Sequence, residues 1–516
     1  MTTLYTNARL AGGATALAVD AGQVTWLGTD YPGPVAGTVD LGGAFVTPAF
    51  VDAHVHATSA GLLRTGLDLT GTESLPDLLD AVRDRADTGV LLWGHGWDET
   101  RWPENRPPTR AELDAVAGGA AVYLSRVDVH SALVSTALVD RAPAARTAAG
   151  WSADGPLAQE AHHHVRRAAM AAITPAQREE AQLAFLRHAA AMGIACVHEC
   201  AGPDISGADD LAELLARSGD LPEVVGYWGA FGEPVPGVRG QAGDLFVDGA
   251  FGSRTAALRA PYTDAPHTSG ARYLDAQRIA DHVVACTEAG RQAGFHVIGD
   301  AAVAEVVAGF QLAEKVVGEK ALRAAGHRLE HLEMVTGEQI DELARLGVIA
   351  SVQPLFDAYW GGPDGMYAQR LGDRAAALNP FAALAARGVT LAFGSDAPVT
   401  AVDPWATVRA AVEHRTPGSG LTWEQAFAAH TEGGWRAAGT TGGRLEAGAP
   451  ATFAVWDGDP RTSPRCLRTV LNGTTIHRVA GAKERAPSGP GSARRRAGAE
   501  HATREDGVLA NERSDN

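Results

Sequence analysis

One unit recurs along most of this 516-residue chain: a short apolar stretch followed by a segment whose apolar residues have helical spacing. Short apolar stretches of this kind predict buried strands, and the segments between them predict helices. Strands that alternate with helices favour a parallel sheet covered by those helices. The predicted strands end at eight positions: His56, Cys200, Gly229, Gly249, Asp300, Leu332, Pro354 and Pro398. Eight such units predict an α/β fold of the (β/α)8 type, a TIM-like barrel.

Three further regions are predicted around the barrel, which would occupy residues 49–442. Residues 1–48 and 443–480 both alternate short apolar strands with turns, which predicts one small β-sandwich domain formed by both chain ends. The gap between the first two barrel strands predicts an inserted subdomain over about residues 60–185, which would overhang the mouth of the barrel. Residues 481–516 lack periodicity and are rich in Gly, Ala, Pro, Arg and Glu, which predicts a disordered tail.

Charge and composition narrow the range of partners. The formal net charge of −17 argues against nucleic acid or an anionic membrane as the main partner. The four cysteines are scattered, so we expect no disulfide framework. No apolar run approaches the ~20 residues of a membrane span, and the N-terminal segment does not resemble a secretory signal. We therefore expect a cytoplasmic protein that acts on a small molecule, with a homodimer left open.

A pair of histidines follows the first predicted barrel strand, in Asp52-Ala53-His54-Val55-His56. Strand side chains alternate between faces, so both imidazoles point the same way and can bind one metal ion. Three later strand ends supply His296, His331 and Asp396. The carboxyl ends of barrel strands converge on one mouth. Four imidazoles and a carboxylate there suit Zn²⁺ or a similar divalent ion.

An ordered set of motifs across residues 1–480 resembles the amidohydrolase superfamily, in particular the amidohydrolase-3 branch that includes N-substituted formamide deformylases. The motifs are Asp52-Ala53-His54-Val55-His56, Gly96-Trp97-Asp98-Glu99, Asp248-Gly249 with Gly252-Ser253-Arg254-Thr255-Ala256, His296-Val297-Ile298-Gly299-Asp300, Arg328-Leu329-Glu330-His331, Ser351-Val352-Gln353-Pro354 and Gly394-Ser395-Asp396-Ala397-Pro398. The resemblance implies His54, His56, His296, His331 and Asp396 as metal ligands, with Asp396 also the general base.

The same resemblance implies a mechanism. A bound divalent ion lowers the pKa of its water toward ~7, so that hydroxide is available at neutral pH. Asp396 would take the proton of this water and later pass it to the leaving nitrogen. The ion, with His331 as a second candidate, would stabilise the oxyanion that develops on the attacked carbonyl.

The chain departs from this family at one position. Many relatives carry a lysine on strand four, four residues before the Asp-Gly pair, and its carboxylated amine bridges two metal ions. Here that position is Asp244, and the chain has only three lysines, Lys315, Lys320 and Lys483, none of them placed to bridge. In an extended strand Asp244 would lie about 13 Å below Asp248, so we expect it not to reach the metal.

Cys200 on strand two is a candidate for the missing bridge, although a small buried hydrophobic residue is the more common role of such a cysteine. We therefore expect one tightly bound ion, Zn²⁺ by preference, rather than two. With a single ion, the choice between His296 and His331 as its ligand stays open.

Seven residues near the predicted mouth are candidates for binding substrate: Trp97, Asp98, His130, His198, Asp248, Arg254 and Asp300. Arg254 could bind a carboxylate or carbonyl of the substrate, or form a structural salt bridge. His198 could contact substrate or lie in the core with its hydrogen bonds satisfied. Trp97 and Asp98 would line the pocket from the insertion.

Together these features predict a metal-dependent hydrolase that cleaves a non-peptide carbon–nitrogen bond, of amide or formamide type, in a small molecule. Two alternatives stay open: hydrolysis of a C–O or cyclic amide bond, and a catalytically decayed homologue that only binds metal. The presence of Asp396 argues against decay, because a site without chemistry needs no general base.

Overall fold

A computed structural model of the chain describes residues 1–127, 131–203 and 205–480. In chain order, the strands are β1 (Thr3–Arg9), β2 (Ala16–Asp20), β3 (Gln23–Gly28), β4 (Gly37–Pro48), β5 (Phe50–Val55), β6 (Leu67–Asp68), β7 (Leu92–Trp97), β8 (Val122–Arg126), β9 (Ser131–Val134), β10 (Leu157–Ala158), β11 (Ile194–Ala201), β12 (Glu223–Trp228), β13 (Gly240–Gln241), β14 (Gln292–Val297), β15 (Arg328–His331), β16 (Ile349–Val352), β17 (Thr390–Phe393), β18 (Phe453–Trp456), β19 (Cys466–Leu471) and β20 (Thr474–Arg478).

The α-helices are α1 (Ala57–Thr65), α2 (Leu75–Arg85), α3 (Arg110–Ala117), α4 (Thr136–Val139), α5 (Gln159–Ala172), α6 (Pro175–Ala191), α7 (Ala208–Leu215), α8 (Ala276–Glu288), α9 (Asp300–Val317), α10 (Glu319–Ala325), α11 (Gly337–Arg345), α12 (Pro354–Trp360), α13 (Met366–Leu371), α14 (Phe381–Ala386), α15 (Pro404–Val412), α16 (Trp423–Ala429) and α17 (Glu432–Ala437). Within the described ranges, none of these helices combines the length and apolar character needed to cross a membrane.

Eight parallel strands form the central barrel, in the order β5, β11, β12, β13, β14, β15, β16, β17. The last strand returns to the first, because Val55 pairs with Ala397 and the Asp396 N–H donates to the His54 carbonyl at 2.8 Å. Every residue of β5, β11, β14, β15 and β16 is buried, as expected for a parallel sheet covered by helices. The predicted (β/α)8 barrel is confirmed.

The fourth barrel strand is shorter than the sequence predicts, and this is a correction. β13 covers only Gly240–Gln241, and farther along a single bridge joins Phe246 to His296. Between them Gly243 has φ +83°, and the Leu245 N–H donates to the Gly243 carbonyl at 2.8 Å. Glycine adopts such a positive φ without steric cost, so the backbone turns sharply where the alternation pattern predicted an extended strand.

Strands from both ends of the chain share one seven-stranded sheet, in the order β20, β19, β18, β4, β1, β2, β3. β4 connects the two ends, because it runs parallel to β1 and antiparallel to β18. The division into an end domain (1–48 with 443–480) and a barrel (49–442) stays a prediction. The predicted tail, 481–516, lies outside the described residues.

A second sheet, with the strand order β10, β9, β8, β7, β6, lies between β5 and β11 in the chain. One apolar cluster on this insertion contains Trp93 and Tyr123, and another contains Trp97 and Trp102. The insertion begins with α1, directly after His56 at the carboxyl end of β5. It therefore starts at the mouth of the barrel.

Candidate metal centre

The carboxyl ends of four barrel strands bring the five predicted metal ligands together. His54 lies on β5 and His56 directly follows it. His296 lies on β14, His331 ends β15, and Asp396 follows β17. The His54 ring centroid is 5.2 Å from that of His56 and 5.1 Å from that of His331. The His296 and His331 centroids are 4.5 Å apart, and none of the five residues is more than 7% exposed.

A sixth residue, Asp244, lies among these side chains, which corrects the expectation that it would stay about 13 Å below the level of Asp248. Its Oδ1 is 3.5 Å from His54 Nε2, 3.5 Å from His296 Nδ1 and 4.0 Å from His331 Nε2. Its Oδ2 is 3.2 Å from His56 Nε2. Asp244 therefore contacts all four histidines.

The backbone turn at Gly243 explains why a short side chain reaches this position. A Cβ on Gly243 would lie 2.9 Å from the Cys200 Cβ, and one on Gly229 would lie 2.8 Å from the carbonyl carbon of Asp244. The chain thus passes very close to the ends of β11 and β12 as it turns. Because the backbone itself lies close to the centre, the short side chain of Asp244 reaches it without the length of a lysine. The spacing of residues along a regular strand does not predict this turn.

Buried hydrogen bonds orient the imidazole of His54. Its Nδ1 lies 2.9 Å from Glu330 Oε2, and Glu330 is held in turn by Arg328, at 2.6 Å from Nε and 2.8 Å from Nη2. Burial raises the pKa of Glu330, but the Arg328 guanidinium and His54 outweigh it and hold that pKa well below its usual range. A carboxylate only accepts, so in the neutral ring the proton of His54 is on Nδ1 and the Nε2 lone pair faces Asp244.

Two other histidines are oriented in the same way. Gln353 Oε1 lies 2.8 Å from His331 Nδ1, and the Gly249 carbonyl lies 3.4 Å from His296 Nε2. Both partners accept, so the remaining ring nitrogens, His331 Nε2 and His296 Nδ1, present lone pairs to the same centre. Ring orientation by an outer hydrogen bond is typical of metal-binding histidines.

The residues fit a divalent metal ion. Three buried atoms that face the centre have no hydrogen-bond partner: His54 Nε2, His296 Nδ1 and Asp244 Oδ1. Buried acceptors left unpaired are costly, and a cation would satisfy all of them. The ligand atoms of His54, His56 and Asp396 lie within 4.8 Å of one another, as do those of His54, Asp244 and His331. Imidazoles with carboxylates are a donor set for zinc and similar ions.

The imidazole and carboxyl groups of the centre shift one another's pKa values. Burial lowers the pKa of His54 and His56, but the carboxylates of Asp396 and Asp244 more than compensate and raise both. Burial raises the pKa of the two carboxyl groups, whereas the histidines lower it below its usual range. Burial, together with His296, lowers the pKa of His331 to about 4.

Cys200, the sequence-based candidate for a bridge, is fully buried in a cluster with Tyr227 and Ala242. Its Sγ lies within 4.8 Å of ligand atoms of His54 and Glu330, but Glu330 is already bonded to Arg328 and to His54. Burial raises the pKa of the Cys200 thiol well above its usual value, which disfavours the thiolate that binds metal. A bridging role for Cys200 stays a prediction.

Three of the residues that the sequence predicts to bind substrate contact neighbouring protein groups. Trp97 is 1% exposed in the core of the insertion, and its Nε1 donates to the Leu124 carbonyl at 2.9 Å. Asp98 Oδ1 accepts from Arg126 Nη2 at 3.1 Å. Arg254 donates to both oxygens of Asp264, at 3.1 and 2.7 Å, which is the structural salt bridge considered from the sequence.

Two further candidates, Asp248 and His198, are fully buried. Asp248 is fully buried and accepts from the backbone N–H groups of Ala257, Ile298 and Gly299 at 2.7–2.9 Å, so it organises the loops at the mouth. His198 is fully buried, and its Nδ1 lies 3.2 Å from Arg328 Nη1. Burial and Arg328 lower the pKa of His198 well below its usual value.

Asp300 begins α9 and accepts from the Arg259 N–H at 3.0 Å. His130 lies outside the described residues. A role for any of these residues in binding substrate stays a prediction.

Arg328, Glu330 and Gln353 lie within the sequence motifs, but the sequence alone predicts no role for them. A usable signal was present, because Arg328 and Glu330 lie two residues apart on a predicted buried strand and therefore share a face. Two opposite charges on one face of a buried strand indicate a buried ion pair rather than a surface pair.

Comparisons with known proteins agree with this geometry. The amidohydrolase family model matches residues 37–477. The Bacillus subtilis protein YtcJ, named as an amidohydrolase, is 26% identical over 503 residues, which cover 87% of this chain and 92% of that protein. N-substituted formamide deformylase of Arthrobacter pascens is 23% identical over 504 residues, covering 87% and 90%. The crystal structure of a metal-dependent hydrolase of Pyrococcus furiosus, described as uncharacterized, has a TM-score of 0.74 at 25% identity and covers 90% of this chain and 100% of that one.

Proposed function

The chain belongs to the amidohydrolase family of metal-dependent hydrolases, and we propose that it cleaves a non-peptide carbon–nitrogen bond of a small molecule. The bond we propose is an amide or formamide, and one relative is named for formamide deformylation. We further propose His54, His56, His296, His331 and Asp396 as metal ligands and Zn²⁺ as the metal, since imidazole-rich sites suit zinc.

The position of Asp396 carries this proposal. Its Oδ1 lies 3.1 Å from His56 Nε2 and 3.4 Å from His54 Nε2, at the proposed metal donors. The histidines hold its pKa below the usual range against the effect of burial, so it is ionised at neutral pH. Its backbone N–H donates to the His54 carbonyl at 2.8 Å, which fixes the carboxylate relative to the first strand. This is the arrangement that a general base beside a metal site requires.

A bound divalent ion would supply a Lewis acid and lower the pKa of water toward ~7. Asp396 accepts the proton of the attacking water as the new C–O bond forms at the carbonyl carbon. It then returns this proton to the nitrogen as the C–N bond breaks, so that one water and one amide yield a carboxylic acid and an amine. His331 has its proton on Nδ1 toward Gln353, so its Nε2 acts as a ligand rather than as a hydrogen-bond donor to the oxyanion.

Replacement of Asp396 by Asn tests the proposal. We expect Asp396→Asn to lower kcat for an N-formyl or N-acyl amine by about 10²–10⁴-fold, because Asn cannot accept the proton. Asp281→Asn, the same change on the exposed face of α8, is the matched control and should leave kcat unchanged. Full turnover by Asp396→Asn would overturn the mechanism.

The substrate panel also separates the alternatives. Esters, lactones and cyclic amides should be assayed beside the linear amides. A preference in kcat/KM for those compounds would favour hydrolysis of a C–O or cyclic amide bond. Protein that binds metal and hydrolyses none of the panel would favour a decayed homologue.

A further inference from the structure

The carboxylate of Asp244 contacts two groups of histidines. Oδ2 lies 3.2 Å from His56 Nε2, and Oδ1 lies 3.5 Å from His54 Nε2, 3.5 Å from His296 Nδ1 and 4.0 Å from His331 Nε2. Asp396 serves only one of these groups: among the described residues, its ion-pair contacts within 4.0 Å are with His54 and His56. Asp244 is therefore the carboxylate that both groups share.

The number of donors exceeds what one ion can use. Four imidazole nitrogens and the oxygens of Asp244 and Asp396 face the same buried centre. A tetrahedral zinc ion takes four donors, so a single ion would leave several buried lone pairs unsatisfied. Two ions about 3.5–4 Å apart, a spacing common in hydrolases, would use them all.

We propose that Asp244 bridges two metal ions, one held also by His54, His56 and Asp396 and the other by His296 and His331. The inference deepens the proposed function, on which it rests for the presence of a metal, and it replaces our preference for a single ion. Gly243 and Gly229 are positioning residues in this arrangement, because they allow the backbone to bring the carboxylate of Asp244 to the centre. The bridge is then a permanent carboxylate of the chain and needs no modified side chain.

Metal content of the full chain tests the bridge without reference to turnover. Protein stripped with a chelator, reloaded with Mn²⁺ and freed of unbound metal should hold about two equivalents by elemental analysis. Its electron paramagnetic resonance spectrum should be that of a spin-coupled pair. One equivalent with an isolated-ion spectrum would overturn the proposal, and this measurement needs no variant.

Asp244→Asn should reduce the content to about one equivalent and convert the spectrum to that of an isolated ion. Cys200→Ala, which removes the rival bridge, should keep two. Two equivalents in Asp244→Asn, or their loss in Cys200→Ala, would overturn the assignment of Asp244. Circular dichroism confirms that each variant is folded.

Glycine variants test whether the backbone turn at Gly243 brings the carboxylate of Asp244 to the centre. Gly243→Ala would place a methyl group against Cys200, whereas Gly290→Ala imposes a similar positive φ with open space around it. Only Gly243→Ala should lose the second equivalent, and equal metal contents in the two variants would overturn the positioning role. Two bound ions in a protein that hydrolyses no amide would contradict the proposed reaction but leave the bridge standing.

Discussion

Single residues behind the proposed metal ligands decide how those side chains are oriented. Glu330 accepts from His54 and compensates the charge of Arg328, and all three side chains are fully buried. Arg328 also donates to the Ala53 carbonyl at 2.7 Å and to Ser351 Oγ at 2.9 Å. One buried ion pair thus joins three barrel strands and sets the tautomer of the neutral His54 ring.

Glu330→Gln should weaken the metal centre and destabilise the barrel. Loss of the carboxylate leaves Arg328 without its buried counter-charge, which should cost about 3–5 kcal/mol. Loss of an outer partner of a ligating histidine should lower metal affinity about 10–100-fold. Urea unfolding and competition with a metal-binding dye measure the two effects.

Glu342→Gln is the matched control, because Glu342 pairs with Arg345 near the surface of α11, at 2.8 Å. We expect a loss of at most about 1 kcal/mol and no change in metal affinity there. Equal effects of the two substitutions would show that the burial of the Glu330 pair has no special consequence.

At the scale of elements, a buried histidine ties helix α8 to the start of β14. His327 Nδ1 accepts from the Ala293 N–H at 2.9 Å, and its Nε2 lies 2.9 Å from Thr287 Oγ1 on α8. Thr287 donates in turn to the Val283 carbonyl at 2.6 Å. Only the neutral ring satisfies this chain of bonds, and burial, with a contribution from His282, lowers the pKa of His327 to about 4.

His327 should make stability depend on pH. Its folded pKa lies below the unfolded value of about 6.5, so the unfolded state takes up the proton first as the pH falls. The stability contribution is complete above about pH 6.5 and is lost as the pH falls toward about 4, at up to about 1.4 kcal/mol per pH unit.

His327→Gln should reduce the slope of unfolding free energy against pH by up to that amount across this window. The difference between the two proteins, measured by urea unfolding at several pH values, isolates the contribution of His327 from that of the metal centre. An unchanged slope would refute the assignment.

At the scale of the whole molecule, aromatic side chains join the barrel to the seven-stranded sheet formed by both chain ends, the end sheet. Phe50 at the start of β5 packs edge-on against Trp405 at 4.7 Å and against Trp456 at 5.9 Å between ring centroids. Trp456 lies on β18 of the end sheet, contacts Trp405 at 5.1 Å and donates from Nε1 to Thr47 Oγ1 at 2.9 Å. These contacts lie at the amino end of β5, at the opposite end of that strand from His54 and His56.

Trp456→Ala should therefore lower stability and spare the metal centre. The cavity should cost about 3–5 kcal/mol in unfolding free energy, because Trp456 is only 1% exposed. Metal content should stay that of the wild type. Val316→Ala on α9, where the side chain is 68% exposed, should change stability by no more than about 0.5 kcal/mol. A loss of metal in Trp456→Ala would contradict this separation.

Local patterns in the amino-acid sequence specify the barrel and most of its mouth. Period-two and helical spacing are local properties, so the strand ends that carry His54, His56, His296, His331 and Asp396 could be located from them. Convergence of these ends follows from the parallel barrel, and the structure shows the five side chains together.

The place of Asp244 and the partner of His54 depend on contacts between distant parts of the chain. Asp244 reaches the centre through a turn at Gly243, close to the ends of β11 and β12, whereas the alternation pattern predicts an extended strand. Glu330 meets His54 across 276 positions of the chain, through the register of strands that local spacing does not specify. Local patterns set which residues face inward, but the path of the backbone and the packing between strands set which of them meet.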